Sequence, residues 1–206
     1  MEPALTGGRV ELSPSTWRQP WPPPVDPGRA PVVGHVAERI RALGDRRVRV
    51  AIDGRTAAGK TTLGHELARW LAGAGRVVLR ASLDDFKRPW AEAHRYDRVS
   101  GEGYYRNAFD LDAVRDLLLG PAHPGGSGLV ALRSIDPLTQ VDHSGTRVAM
   151  PGDRILIVDG VFTLRPELVH HWDLRVRLDV DPVARADVVI DNTRLDRPRL
   201  VSAPPG

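Results

Sequence analysis

A stretch of sequence, GRTAAGKT, places glycines, a lysine and a threonine at a spacing suited to binding phosphate. It runs from Gly54 to Thr61 and matches the pattern G-x-x-x-x-G-K-[ST] at every fixed position. Glycines let backbone N–H groups turn inward around a phosphate, and a helix that begins at Lys60 directs the positive end of its dipole at the same point. In this pattern the lysine binds the outer phosphates and the threonine hydroxyl binds Mg²⁺. We therefore predict a phosphate loop.

The scarcity of lysine makes a chance match less plausible. Lys60 and Lys87 are the only lysines among 29 basic residues, so each is a candidate for a position that arginine cannot fill. The tetrapeptide N-K-x-D, which GTPases use for guanine, is absent from the sequence, so ATP is the expected nucleotide. The residues expected to bind ATP are Gly54, Arg55, Thr56, Ala57, Ala58, Gly59, Lys60, Thr61 and Thr62.

Acidic residues follow two of the predicted strands. Asp84 and Asp85 follow the segment RVVLRASL, and Asp159 ends the apolar run ILIVD. Ligands of doubly wound sheets lie at the carboxyl ends of the strands, so these acids should face the phosphate loop. A carboxylate there can accept the proton of a hydroxyl that attacks the γ-phosphate, although an Asp pair can also simply cap a turn. Asp159 has the position of a Walker-B acid near Mg²⁺, with a turn-forming Asp-Gly as the alternative.

Strands and helices alternate along the chain. The predicted helices are VVGHVAERIRALG, KTTLGHELARWLAGAG and DLDAVRDLLLG, the last capped by Asp110 and stopped by Gly120-Pro121. The segment from Leu129 to Met150 is predicted as a hairpin with a turn near Asp142 to Gly145. The predicted strands are RVRVAID, RVVLRASL, DRILIVDGVF, DLRVRLDV and ADVVID. This order predicts an α/β P-loop NTPase fold of three layers, with a mainly parallel sheet, flanking helices and a β-hairpin insertion.

Composition excludes several classes of protein. The sequence has no cysteine, so it has neither a disulfide framework nor a cysteine-bound metal. Its arginines are scattered rather than clustered, so nucleic acid is not an expected partner. It contains neither an apolar run long enough to span a bilayer nor the apolar core of a signal peptide, so we expect a cytoplasmic protein with no membrane contact.

The chain is expected to divide into a tail and one domain. Residues 1–30 are rich in Pro, Gly and Arg, which predicts a flexible tail that Trp17 and Trp21 could dock. Residues 31–206 are predicted to form a single P-loop kinase-like domain that is shortened between Asp181 and Ala186.

The phosphate loop and the acids, together with GEGYYRNAFDLDAV and WDLRVRLDVDP, resemble the uridine kinase family and its phosphoribulokinase and pantothenate kinase relatives. The resemblance covers about residues 32–192. It implies ATP- and Mg²⁺-dependent phosphorylation of a nucleoside 5′-hydroxyl, with Asp84 as the base and with Asp159 and Thr61 at the metal. Arg88 is the nearest arginine that could neutralise the transferring group, with a surface arginine as the alternative. The residues expected at the acceptor are Asp85, Tyr104, Tyr105, Arg106 and Asp136.

The acceptor region departs from the family pattern. Ile135 stands where pyrimidine-specific members have an aromatic residue, and no histidine follows it closely. Tyr104, Tyr105 and Phe109 could stack on a base or could belong to the core. The acceptor of the phosphoryl group therefore remains open between a nucleoside and another small hydroxyl compound. A third alternative is a non-catalytic nucleotide-binding protein, which has no acceptor.

A second departure lies between the last two predicted strands. Family members place a helix, an arginine-bearing lid and another helix there, whereas only Pro182 to Arg185 separate Asp181 from Ala186. Because a parallel crossover needs a dozen or more residues, we expect these strands to be antiparallel or separated by another strand. Loss of the lid predicts ATP binding with slow transfer. It also predicts exposed apolar sheet surface that favours self-association or a covering partner.

Overall fold

The fold is an α/β sandwich built on a mainly parallel sheet. The computed structural model describes residues 8–13, 20–92, 96–97, 99–178, 188–191 and 197–201. Within these residues seven strands form one sheet, in the order β1-β3-β6-β2-β7-β8-β9, and only β9 is antiparallel to its neighbour. The strands are β1 (Arg9–Leu12), β2 (Val48–Gly54), β3 (Val77–Ser82), β4 (Leu129–Val130), β5 (Val148–Ala149), β6 (Ile155–Asp159), β7 (Leu174–Leu178), β8 (Val188–Asp191) and β9 (Arg199–Val201). Strands β4 and β5 pair separately as the hairpin.

Helices cover both faces of the sheet. One face is packed by α1 (Ala30–Arg41) and α2 (Lys60–Gly73). The other face is packed by the helical segment that follows α3 and by the hairpin. The remaining helices are α3 (Gly101–Asn107), α4 (Leu111–Ala113), a π-helical segment (Val114–Leu119), α5 (Gly120–Ala122) and the 3₁₀ turns Leu83–Phe86 and Val169–His171. The predicted fold class is confirmed.

The central strands are buried on both faces, as their apolar runs predict. In β6, Ile155 and Ile157 enter the core beneath α1 and α2, whereas Leu156 and Val158 enter the core on the opposite face. Strand β6 lies between β2 and β3, so the residues that end these three strands meet at one edge of the sheet. This arrangement positions the acids that follow β3 and β6 beside the phosphate loop that follows β2.

The predicted stop at Gly120-Pro121 is wrong. The helix that begins after Asp110, whose Oδ1 accepts a hydrogen bond from Ala113 N, continues through a π-helical segment and α5. Proline inside a helix displaces the carbonyl four residues earlier, here that of Leu117. That carbonyl instead accepts a hydrogen bond of 2.8 Å from Ala131 N, so the helix tolerates Pro121 without an unsatisfied acceptor.

The hairpin exists, but its predicted turn is misplaced. Ile135 pairs with Asp142, and Asp136 O accepts a hydrogen bond from Gln140 N, so the chain reverses within residues 136–141. An Asp-Pro pair starts this turn, because the Asp136 carboxylate can accept hydrogen bonds from backbone N–H groups just after the proline. A hydrogen-bonded turn does lie at the predicted position, where Thr146 N donates to the His143 carbonyl oxygen and Ser144 N donates to Asp142 Oδ1, but the reversal of the hairpin comes before it.

Part of the predicted tail belongs to the domain. Strand β1 pairs in parallel with β3, with Arg9 opposite Val77. The ring of Trp21 lies 4.7 Å from that of His65 on α2, and Arg29 donates two hydrogen bonds of 2.8 Å to the buried Glu66 carboxylate. For residues 9–12 and 20–29, therefore, the prediction of a flexible tail is wrong, whereas Trp17 lies outside the described residues.

The predicted relation of β7 and β8 is also wrong, because the two strands are adjacent and parallel. Val176 pairs with Val188, and Leu178 pairs with Ile190. The first residue of β8 is therefore opposite a residue of β7 that is only two positions before the end of that strand. The return therefore covers about 7 Å along the strands rather than a whole strand length, which a short join can span. The join itself, including Asp181, Arg185 and Ala186, lies outside the described residues.

The sheet surface beside this join is polar on β7. Leu174, Val176 and Leu178 point into the core beneath α1 and α2, whereas Arg175 and Arg177 alternate to the opposite face. The expectation of exposed apolar surface is therefore wrong for this strand.

Candidate nucleotide-binding site

The backbone of the phosphate loop needs glycine at two of its fixed positions. Gly54 has φ of 151°, and a Cβ there would lie 2.6 Å from the carbonyl oxygen of Leu178. Gly59 has φ of 84° and is the N-cap of α2, so the chain enters the helix from a left-handed conformation. Ala57, with φ of 62°, is left-handed without being glycine, a strain that tends to occur at functional sites. The first N–H groups of α2 are thereby directed at the centre of the loop.

Lys60 lies over this loop. Its Nζ donates a hydrogen bond of 2.8 Å to the carbonyl oxygen of Arg55, and only 9% of the residue is exposed. Burial lowers the pKa of Lys60, against the opposing charges of Asp159, Asp53 and Asp84. Three carboxylates thus stabilise the charged form of the ammonium group. Phosphate oxygens of a nucleotide bound in the loop would accept its hydrogen bonds.

Thr61 and Asp159 are in direct contact. The Thr61 hydroxyl donates a hydrogen bond of 2.7 Å to Asp159 Oδ2, which joins the start of α2 to the end of β6. Asp159 Oδ1 accepts a hydrogen bond of 2.5 Å from Arg80 Nη2. The structure therefore brings together both residues predicted at the metal.

Arg80 and Asp53 were missed by the sequence reasoning. Asp53 precedes the phosphate loop, and its carboxylate accepts hydrogen bonds from the Thr163 hydroxyl (3.0 Å), Leu164 N (3.1 Å) and Arg177 Nη1 (3.1 Å). A signal for each was available. Arg80 interrupts an apolar strand, and Asp53 is the last residue but one of β2, close to the position that Asp159 has at the end of β6.

Asp84 and Asp85 differ in exposure. The Asp84 side chain is 48% exposed and lies 3.4 Å from Lys87 Nζ, close enough to Lys60 to affect its pKa. Asp85 is buried, and its carbonyl oxygen accepts hydrogen bonds from Ser134 N and Ile135 N, which anchor the hairpin. Of the pair, Asp84 has the side chain that is open to solvent.

The aromatic residues predicted at the acceptor form a cluster with Phe162. The rings of Tyr104 and Tyr105 lie 5.9 Å and 5.0 Å from that of Phe162, and Phe109 lies 6.5 Å from it. Phe162, which follows β6, has φ of 70°. Burial raises the pKa of Tyr105 against the opposing charge of Arg165, whose guanidinium lies 4.0 Å from the Tyr105 ring centroid. Tyr104 is 51% exposed, so one face of the cluster is accessible.

Two predicted acceptor residues are engaged elsewhere. Arg106 forms an ion pair with Glu102 on the exposed side of α3. Asp136 is buried; its Oδ1 accepts hydrogen bonds from Leu138 N and Thr139 N, and its Oδ2 accepts one from Arg133. The structure thus gives Asp136 a role in the hairpin turn.

Arg88 lines a cavity to which no residue of the phosphate loop contributes. This cavity of about 740 Å³ lies between the hairpin and α4 and is also lined by Lys87, Asp110, Asp116 and Gln140. The buried Nε of Arg88 has no hydrogen-bond acceptor in the part of the chain that the structure describes.

The residues present suit Mg²⁺ that arrives with a nucleotide. Among the described residues no group of three or more His, Asp or Glu side chains could hold a metal on its own. The Thr61 hydroxyl, oriented by Asp159, offers one oxygen ligand beside the loop. Magnesium typically takes one or two such ligands and completes its shell with phosphate oxygens and water.

Solved structures share this fold. A candidate uridine kinase from Bacillus stearothermophilus matches with a TM-score of 0.64 and 22% identity, over 76% of this chain and 96% of that chain. A candidate fructose transport system kinase from Silicibacter sp. TM1040 matches with a TM-score of 0.53 and 23% identity, over 74% of each chain. The chain has a P-loop kinase fold. At these identities the predicted resemblance to uridine kinases is confirmed at the level of the fold.

Neither a protein-family model nor a curated protein matches the chain. None of the helices in the described residues has the length and apolar character needed to cross a bilayer.

Proposed function

We propose that this protein is an ATP- and Mg²⁺-dependent kinase that phosphorylates a hydroxyl group of a small molecule, with a nucleoside 5′-hydroxyl as the leading candidate. The observation that carries the proposal is the 2.7 Å contact between Thr61 and Asp159 beside the buried Lys60. A chance glycine-rich turn has no reason to bring a helix-start hydroxyl onto the carboxylate that ends a neighbouring strand.

Each residue of the site has a defined task in this reaction. The loop N–H groups and Lys60 bind the phosphates. The Thr61 hydroxyl donates a hydrogen bond to Asp159, which leaves the lone pairs of the Thr61 oxygen available to a metal. Bound Mg²⁺ supplies positive charge to the transferring phosphoryl group. Asp84, on the exposed side of the site, accepts the proton of the attacking hydroxyl.

Two observations support a nucleoside as the acceptor. The accessible face of Tyr104 beside Phe162 suits a planar base. The similar structure from Bacillus stearothermophilus is a candidate uridine kinase. The candidate fructose transport system kinase among the similar structures makes a sugar hydroxyl the next acceptor to test.

A second candidate function is nucleotide binding without transfer. It is favoured by the short join between Asp181 and Ala186, which leaves no length for an arginine-bearing lid. Backbone N–H groups supply most phosphate contacts and need no lid, whereas transfer gains from closure that expels water. Under the leading proposal we accordingly expect ATP binding, slow transfer and a large background of ATP hydrolysis.

A turnover assay separates these functions. Purified protein with ATP and Mg²⁺ is incubated with ribonucleosides, deoxyribonucleosides, pantothenate or fructose, and ATP loss is compared with phosphorylated product. We expect product with one nucleoside class and an ATP-hydrolysis background that is large beside it. ATP binding without any product would favour the second function, and transfer at about 10 s⁻¹, as is typical of enzymes, would overturn the expectation based on the lid.

A further inference from the structure

A buried arginine lies directly behind the predicted metal site. Arg80 is in the middle of β3 and is 3% exposed. Its Nη2 donates a hydrogen bond of 2.5 Å to Asp159 Oδ1, and its Nη1 donates one of 2.7 Å to the carbonyl oxygen of Ile157. The guanidinium group therefore links β3 to β6, and it binds the Asp159 carboxylate that also accepts a hydrogen bond from Thr61.

Helix α2 has a gap that accommodates this guanidinium group. A Cβ at Gly64 would lie 2.4 Å from Arg80 Nη2 and 2.6 Å from its Cζ. Any other residue at position 64 would push the guanidinium group away from its place. Gly64 in α2 and Arg80 in β3 are thus in contact across the interface between the helix and the sheet, and the position of the arginine depends on the glycine.

Stability alone gives a weak reason for this arrangement. Buried ion pairs are often no more stabilising than apolar residues of similar size. Among the described residues, Arg80 Nε finds no hydrogen-bond acceptor, which adds a desolvation cost. A glycine inside α2 adds a further cost relative to alanine. An arrangement that carries these costs at the end of β6 points to a role in the site.

The charges around Lys60 show what that role can be. Each of the three carboxylates that influence Lys60 is paired with a cation: Asp53 with Arg177, Asp84 with Lys87 and Asp159 with Arg80. Lys60 itself donates to a neutral carbonyl. Among these groups four cations face three carboxylates, a balance that disfavours a lone divalent cation and favours an anionic metal–polyphosphate complex.

We propose that Arg80 is a positioning residue for the metal, acting through Asp159. It fixes the carboxylate so that Oδ2 holds the Thr61 hydroxyl, and it cancels the carboxylate charge so that the metal enters only together with nucleotide phosphates. This inference rests on the proposed nucleotide site, although not on any particular acceptor.

Two substitutions at Arg80 separate its charge from its shape. Arg80→Met removes both, and Arg80→Lys keeps the charge but loses the planar fork. Arg49→Lys is the matched control, because Arg49 is another buried arginine of the sheet and binds Asp173 at 3.0 Å, at the opposite end of the strands. The readouts are Mn²⁺ binding without nucleotide, by electron paramagnetic resonance, and the affinity for a fluorescent ATP analogue with and without Mg²⁺.

Wild type and Arg80→Lys should bind free Mn²⁺ only weakly, whereas Arg80→Met should bind it about tenfold or more tightly, because Asp159 becomes an unpaired charge. The gain in nucleotide affinity that Mg²⁺ gives wild type should fall about tenfold in both Arg80 variants. Arg49→Lys should change neither quantity, even though it removes the planar fork from a comparable buried ion pair.

Unchanged Mn²⁺ binding in Arg80→Met, or an unchanged Mg²⁺ effect in Arg80→Lys, would overturn the proposal. If Arg80→Met does not fold, Gly64→Ala displaces the guanidinium group instead and should reduce the Mg²⁺ effect as Arg80→Lys does. The proposed function fails separately: nucleotide and metal binding without product contradicts the kinase and leaves the role of Arg80 standing. Absence of ATP binding in wild type would overturn both.

Discussion

The nucleotide side and the acceptor side of the site are built differently. On the nucleotide side, backbone geometry and buried pairs fix every group: Gly59 sets the entry into α2, and Asp159 is held by Thr61 and Arg80. On the acceptor side, Asp84 and Tyr104 are about half exposed and come from separate segments. Phosphate recognition is therefore rigid and local, whereas the choice of acceptor depends on side chains that can vary independently.

Among the substitutions that test this difference between the two sides, loss of Lys60 should reduce activity most. Lys60→Ala should reduce phosphotransfer by about 10³-fold or more, because the phosphates lose a positioned cation. Its fold should remain intact, since burial lowers the pKa of Lys60 and makes its charge unfavourable in the empty site. Even Lys60→Arg should be poor, because the guanidinium group is broader than the ammonium group.

The control for this prediction is the other lysine. Lys87→Ala should keep ATP binding, because Lys87 pairs with Asp84 on the acceptor side. Isothermal titration with ATP–Mg²⁺ and a product assay measure both variants. Equal phosphotransfer in Lys60→Ala and wild type would remove the phosphate-loop interpretation.

On the acceptor side, Asp84→Asn should lower turnover by about 10²-fold, the usual scale for a general base. ATP affinity should change little, because the Asp84 side chain is half exposed and lies outside the phosphate loop. Asp85→Asn is the matched variant, and its effect on turnover should be smaller because Asp85 is buried against the hairpin. A larger loss of turnover in Asp85→Asn than in Asp84→Asn would reverse the assignment within the pair.

Asp159→Asn should have a smaller effect on the nucleotide side. The substitution keeps the shape of the side chain and removes its negative charge. The Mg²⁺ concentration for half-maximal rate should rise, since Thr61 loses its acceptor carboxylate. The variant also leaves Arg80 buried without a counter-charge, which should lower the free energy of unfolding by about 3 kcal/mol. A Mg²⁺ titration and urea unfolding measure the two effects, and an unchanged titration would remove Asp159 from the metal site.

The smallest effect concerns Glu167, which binds Arg165 beside the aromatic cluster. Hydrogen bonding to Arg165 lowers the pKa of Glu167 from 4.5 to about 2. Because the pKa is lower in the folded state, this stabilisation is complete above pH 4.5 and is lost as pH falls towards 2. The side chain is half exposed, so the contribution should be below about 1 kcal/mol. Thermal unfolding of Glu167→Gln should show a shallower loss of stability over this range; an identical pH profile would show that the pair contributes nothing.

The sequence was sufficient for features whose cause is local. Glycine spacing predicts the loop from Gly54 to Gly59, and the uninterrupted apolar run predicts that β6 is buried on both faces. The same locality explains the cap at Asp110, whose carboxylate needs only the following backbone N–H groups.

The sequence was insufficient where the cause lies far along the chain. The helix continues through Pro121 because Ala131 N donates a hydrogen bond to the carbonyl oxygen that the proline displaces. Arg80 belongs to the site only because its guanidinium group binds Asp159 and packs against Gly64, both of which are distant in sequence. Strand β9 was not predicted either, since a short exposed strand carries little apolar pattern of its own.

The pairing of β1 with β3 sets an order of folding. Residues 9–12 leave the ribosome before their partners at residues 77–80 exist, so β1 has to wait for β3 before it can join the sheet. Until β1 joins the sheet, β3 presents an unpaired edge to other chains. Tags or truncations at the amino end would then affect aggregation more than the chemistry of the phosphate loop.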